Sequence, residues 1–101
     1  MTTRLTPFQE AAIARLAEVF RANNIAAVPF HVKEGAEPTA WASFPIDGKE
    51  HVVAIFPKEL NIREGPNLYE CYLPGEFVTP STLIESFATR LHRLLTTGVW
   101  D

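Results

Sequence analysis

Apolar residues recur every three to four positions near the start of the chain, which predicts an amphipathic helix that begins near residue 7. The stripe consists of Phe8, Ala12, Leu16, Val19 and Phe20. Thr6 and Gln9 have the spacing of a capping box, and Pro7 between them suits the first helical position. Asn23-Asn24 predicts the end of this helix, because Asn tolerates the left-handed conformation found at helix C-termini.

The same spacing returns near the end of the sequence and predicts a second helix from about Thr79 to Thr97. Its broad apolar face consists of Leu83, Ile84, Phe87, Ala88, Leu91, Leu94 and Leu95. The Thr79-Pro80 pair is typical of a helix start, and Gly98 is typical of a stop.

Alternating apolar and polar positions between these helices predict four strands. The first covers residues 26–32 and is expected at a sheet edge, because Pro29 cannot donate a ladder hydrogen bond. The second and third flank Asp47-Gly48, a strong hairpin signal. The fourth is the segment 67–73, and the residues 57–66 before it are long enough to hold a helical turn.

The predicted order is therefore α-β-β-β-β-α. Consecutive strands flanked by helices indicate an α+β fold, with an antiparallel sheet on which the N- and C-terminal helices pack. A chain of 101 residues fits one domain, which we expect to span residues 1–101.

A two-residue hairpin loop fixes the strand register, and this register gives the sheet two apolar faces. One face carries Ala40 and Ala42, whose small side chains allow helices to approach closely. The opposite face carries Trp41, Val52, Ala54 and Phe56. An antiparallel sheet in a small domain normally needs only one dry face, so the apolar composition of the second face has to be explained.

Three explanations for the second face are open from the sequence. One helix could cover each side of the sheet, the loops 57–66 and 74–80 could fold over it, or the face could meet another protein or another copy of the chain. We favour the third explanation, because contiguous apolar surface in water usually marks an interaction site. The predicted partner-binding residues are Trp41, Val52, Ala54 and Phe56.

Charge and composition exclude several classes of function. A net charge of −3 with scattered Lys and Arg argues against nucleic-acid binding. No stretch approaches the ~20 apolar residues of a membrane span, and no signal core begins the sequence, so we expect neither membrane insertion nor export. The single cysteine, Cys71, suits a reducing compartment, and we expect a cytoplasmic protein.

Candidate catalytic and metal sites find little support in the sequence. Ser43, His51 and Asp47 suggest a catalytic triad, but the hairpin register directs Ser43 and His51 to opposite faces. The three histidines and Cys71 lack the close spacing of a metal motif, and we predict no metal or cofactor. His51 is expected to pack on Phe44, and Cys71 is expected to be a buried thiol whose pKa is raised by apolar surroundings.

These observations favour a non-enzymatic interaction protein, expected to be a homodimer that acts as an adaptor, inhibitor or chaperone. The alternative is a small-molecule-binding domain or small enzyme with a pocket between sheet and loops. Such a pocket would be lined by Trp41, Phe56, Tyr69 or Tyr72. It would also need convergent polar groups, which the sequence does not show.

Overall fold

A computed structural model describes residues 4–25, 29–33, 35–73 and 79–100 of the chain. Its elements are the helix α1 (Pro7–Ala22), the strands β1 (His31–Lys33), β2 (Thr39–Ile46), β3 (Lys49–Phe56), β4 (Glu59–Glu64) and β5 (Asn67–Tyr72), and the helix α2 (Pro80–Thr97). The predicted α+β architecture is confirmed, with both helices packed on an antiparallel sheet.

Both helices begin and end where the sequence signals predict. Thr6 and Gln9 form the reciprocal capping box of α1, and the chain leaves this helix through Asn24 at φ 62°. Thr79 caps the start of α2 by accepting the backbone N–H of Thr82. Gly98 ends α2 in the left-handed conformation, at φ 81°.

The sheet is a meander in which every strand pairs with its neighbours in sequence, in the order β1-β2-β3-β4-β5. β1 lies at an edge, as Pro29 predicts, although residues 26–28 of its predicted span lie outside the described residues. The idea of a helical turn within 57–66 is wrong, because this segment forms β4. β4 pairs with residues 51–56 of β3 on one side and with β5, the fourth predicted strand, on the other.

The central hairpin has the register that its turn predicts. Asp47 and Gly48 both have positive φ, at 50° and 77°. The pairs Phe44–His51 and Ala42–Val53 lie on one face, and Trp41–Ala54 lies on the other.

The core lies between the first of these faces, the inner face, and the two helices. Its fully buried large side chains come from α1, α2 and the sheet and include Leu16, Phe20, Phe44, Ile55, Leu60, Ile62, Phe87, Leu91 and Leu94. Phe20 contacts Phe44 edge-on at 5.0 Å between ring centroids. Both helices therefore cover the same side of the sheet.

Two polar contacts fix the helices on the inner face. The side chain of Gln9 is fully buried, and its Nε2 donates to the carbonyl oxygens of Pro38 at 2.7 Å and Ile55 at 3.0 Å. On the other side of the core, Glu70 of β5 accepts hydrogen bonds from Arg90 of α2 and from the indole of Trp100 at 2.7 Å. Each contact joins a helix or its terminus to the sheet.

Candidate interaction surface

The face of the sheet opposite the helices, called here the outer face, has an apolar centre with polar flanks. Across the strands, its residues form rows that the pairing defines. The middle row is His31, Trp41, Ala54, Asn61 and Cys71. The next row towards the hairpin turn is Ser43, Val52, Arg63 and Leu68. On the other side of the middle row lie Lys33, Thr39, Phe56 and Glu59.

The four residues that the sequence predicts for partner binding lie together on this face. Trp41, Val52 and Phe56 are partly buried, and Ala54 between them is 8% exposed. Trp41 stacks on the ring of His31, with 5.5 Å between centroids and an interplanar angle of 29°. An edge-strand histidine therefore holds the indole in place.

No helix or strand among the described residues lies across the outer face. Both helices pack on the inner face, so an arrangement with one helix on each side is wrong. The segment 57–66 extends the sheet as β4 and does not fold over it. Residues 74–78 of the loop 74–80 lie outside the described residues, so the idea that this loop folds over the outer face stays a prediction.

One side of the outer face carries a polar cluster that the sequence did not predict. Asn61 is 4% exposed, and its Nδ2 donates to Glu59 Oε2 at 2.9 Å. A carboxylate can only accept, so this bond fixes the orientation of the amide and leaves Oδ1 as its remaining acceptor. Asn61 Oδ1 is buried and makes no hydrogen bond.

Cys71 pairs with Asn61 across β4 and β5 and is exposed, so the prediction of a buried thiol is wrong. The reason is a register shift between Ile62 and Arg63, which places Cys71 on the outer face and separates it from Tyr69. Local desolvation raises the pKa of Cys71, and the nearby Glu59 carboxylate raises it further. The direction agrees with the prediction and favours the unreactive thiol over the thiolate.

His51 belongs to a separate polar network on the inner face. It is 2% exposed and stacks on Phe44 at 5.7 Å, as predicted. Its Nδ1 lies 3.0 Å from the carbonyl oxygen of Lys49, and its Nε2 lies 3.1 Å from the hydroxyl of Tyr69. Tyr69 in turn donates to Glu64. Each ring nitrogen thus has a polar neighbour within hydrogen-bond distance, and the network ties β3, β4 and β5 together.

The electrostatics of this network keep the phenol of Tyr69 protonated and the carboxylate of Glu64 ionised. The hydrogen bond to Glu64 raises the pKa of Tyr69 to about 12, with burial as the second cause. The same bond lowers the pKa of Glu64, which also lies 3.7 Å from the ammonium group of Lys49. Ser43 is on the outer face and Asp47 is in the turn, so neither joins His51.

The four residues predicted to line a small-ligand pocket do not lie together in the structure. Trp41 and Phe56 lie on the outer face, whereas Tyr72 packs edge-on against Phe87 in the core, 5.3 Å between centroids. Tyr69 bonds to His51 on the inner face. An open depression of about 540 Å³ does adjoin Phe56, with Lys58 and Glu59 in its wall.

In the part of the chain described, no helix is long and apolar enough to cross a membrane. Comparison of the chain with protein-family models, with curated proteins and with solved structures finds no match. The assignment of a function therefore depends on the geometry of the outer face.

Proposed function

We propose that the protein is a non-enzymatic interaction module, of adaptor, inhibitor or chaperone type, that forms a homodimer through the outer face around Trp41. The observation that supports this proposal is the apolar centre of that face, on which no described helix or strand packs. Contiguous apolar surface of this kind usually marks a site of association.

The composition of the outer face resembles the centre of a protein interface. Interface centres are enriched in Trp and depleted of charge, with a polar rim around them. Here Trp41 stands beside Val52, Ala54 and Phe56. Lys33 and Glu59 lie at the two ends of their row, and Arg63 lies next to Val52 on β4. Trp41 is the residue expected to contribute most to the binding free energy.

The cellular setting that we propose is the cytoplasm. The chain has a single cysteine, Cys71, and its thiol is exposed. A reducing compartment keeps such a thiol free without a disulfide partner.

The replacement Trp41→Glu tests the proposal. We expect the variant to keep the circular dichroism of the wild type, because the helices hold the inner face, and to lose self-association in light scattering. The loss of a hot-spot aromatic corresponds to at least about 30-fold in affinity. Val99→Glu is the matched control, since Val99 is 56% exposed and follows α2, which packs on the inner face.

Val52→Lys provides a second test at the centre of the same face. The proposal would be contradicted if both outer-face variants kept the light-scattering mass of the wild type. It would also be contradicted if the wild type remained monomeric at all concentrations. If Trp41→Glu unfolds the chain, the result from Val52→Lys decides.

A further inference from the structure

Both ring nitrogens of His51 face oxygen atoms that act as hydrogen-bond acceptors. The imidazole is 2% exposed, so solvent does not provide other partners. Its Nδ1 lies 3.0 Å from the carbonyl oxygen of Lys49, and its Nε2 lies 3.1 Å from the hydroxyl oxygen of Tyr69. A carbonyl can only accept, and Tyr69 donates its single hydroxyl hydrogen to Glu64. Each contact of the ring therefore needs an N–H from His51.

A neutral imidazole carries one N–H and cannot supply both contacts. With the hydrogen on Nδ1, the lone pairs of Nε2 and of the Tyr69 oxygen face each other. With the hydrogen on Nε2, the lone pairs of Nδ1 and of the Lys49 carbonyl do so. A Tyr69 hydroxyl turned towards Nε2 would lose its bond to the ionised Glu64, and bonds to charged groups are the stronger ones. The imidazolium, which has two N–H groups, completes every contact.

We propose that His51, Tyr69 and Glu64 form a pH-sensitive lock, which is complete only when it has bound one proton on the imidazole. The bonds then run from Nδ1 to the carbonyl of Lys49, from Nε2 to the phenol, and from the phenol to the carboxylate of Glu64. Loss of the proton removes one buried hydrogen bond and leaves two acceptors in contact. The lock lies on the inner face, so it does not depend on the proposed dimer.

The charge of Glu64 keeps this proton on the imidazole. Glu64 Oε2 lies 3.7 Å from His51 Nε2. The bond from Tyr69 lowers the pKa of Glu64, so the carboxylate stays ionised near neutral pH and the proton resides on His51. Lys49 opposes the proton, because its ammonium lies 3.7 Å from Glu64 Oε1. Its side chain is 68% exposed, however, and solvent screens the repulsion.

The other elements around the ring bring no further charge to the lock among the described residues. From β2, the ring of Phe44 stacks on His51. The side chains that α1 and α2 bury are apolar except for Gln9, whose bonds go to the backbone. Arg90 of α2 is paired with Glu70. The lock therefore responds to the charges of Glu64 and Lys49.

The part of the sheet that the lock holds is a bulge in β5. The pairing with β4 skips Tyr69, because Leu68 and Glu70 lie opposite neighbouring residues of β4. A bulge residue has no partner in the ladder, and the ladder is disrupted beside it. The side chain of Tyr69 ties this point to β3 and β4 through His51 and Glu64. Release of the proton should therefore loosen β5 at the bulge.

Glu64→Gln tests the lock, because an amide completes the network without the added proton. The amide donates to the phenol, the phenol donates to Nε2 of a neutral His51, and Nδ1–H stays on the carbonyl. The folded wild type binds one proton more than its unfolded chain near neutral pH. Its stability in urea denaturation should therefore rise as the pH falls from about 8 and level off below about 6.5, where an unfolded histidine also binds its proton.

The expected rise is about fivefold in the folding equilibrium constant, which corresponds to one hydrogen bond. Glu64→Gln should lose this rise. His92→Gln is the matched control, since it removes an exposed histidine of α2 and should keep the rise. An equal rise in the wild type and in Glu64→Gln would overturn the proposal.

Nitrogen-15 NMR of the folded wild type observes the proton directly. At about pH 6, both ring nitrogens of His51 should carry a hydrogen. Amide hydrogen exchange at Tyr69, corrected for its intrinsic pH dependence, should be slower at about pH 6 than at about pH 8. A neutral His51 at the lower pH would overturn the proposal. This measurement needs no variant, so it decides the question if Glu64→Gln does not fold.

Discussion

The buried side chain of Gln9 leads to a prediction that runs against helix-capping preferences. Both Glu and Gln are favoured at this position of a capping box, so Gln9→Glu looks conservative at the sequence level. In the structure, Oε1 of Gln9 accepts the N–H of Thr6, while its Nε2 donates to the carbonyls of Pro38 and Ile55. The replacement keeps the first bond and removes both donors.

The expected cost follows from the two carbonyl groups left without a donor. Each buried and unsatisfied polar group costs about 1 to 3 kcal/mol, so Gln9→Glu should reduce the free energy of unfolding by roughly 2 to 6 kcal/mol. This is a large share of the ~5 to 15 kcal/mol that stabilises a typical domain. For a chain of this size, the melting temperature should fall by at least about 8 °C.

Urea denaturation followed by circular dichroism measures this cost. The introduced carboxylate faces carbonyl oxygens, so the fold favours its protonated form, which can donate to one of them. Its pKa in the folded state therefore lies above the unfolded value of about 4.3, and the destabilisation relative to wild type should shrink as the pH falls from 7 towards that value. Glu10→Gln, on the exposed side of the same turn, is the control and should cost less than about 1 kcal/mol. A difference between Gln9→Glu and wild type within 0.5 kcal/mol, about the scatter of surface substitutions, would refute the reasoning.

Three further predictions concern the core, the hairpin and the polar network. Phe87→Ala should cost about 3 to 5 kcal/mol in urea denaturation, because Phe87 is fully buried; a loss within error would remove it from the core. Gly48→Val should cost about 1 kcal/mol or more, because Gly48 has φ 77°, and an unchanged midpoint would show that the turn tolerates a β-branched residue. The pKa of Tyr69 is raised to about 12, so its bond to Glu64 should add stability below about pH 10 and lose it as the pH rises towards 12. Tyr69→Phe should remove this alkaline dependence, and equal slopes for both proteins in denaturation at increasing pH would contradict the assignment.

Local signals in the sequence were sufficient for the helix ends and for the central hairpin. Thr6, Asn24 and Gly98 act within a few residues of their own position, so their effect can be read without knowledge of the fold. Asp47-Gly48 acts in the same way, since the turn geometry alone fixes the register of β2 and β3. The apolar composition of the outer face followed directly from that register.

The residues that the sequence did not place correctly depend on contacts between distant segments. β4 was missed because its alternating pattern contains only two apolar residues, Leu60 and Ile62. Their burial depends on pairing with β3 and β5 and cannot be read from the segment itself. The exposure of Cys71 was missed because a register shift in the β4–β5 pairing cannot be seen in one strand alone. The link between His51 and Tyr69 depends on the same shift.

The sequential order of the strands allows the sheet to begin folding while the chain is still being synthesised. Each strand finds its partner in the segment just before it, so the sheet can assemble as a growing series of hairpins with short loop closures. The inner face, however, is complete only when α2, which follows the whole sheet in the sequence, docks on it and Phe87 packs against Tyr72. Until then, the nascent chain presents apolar surface on both sides of the sheet. This interval, and not the finished fold, is when the protein is most exposed to aggregation.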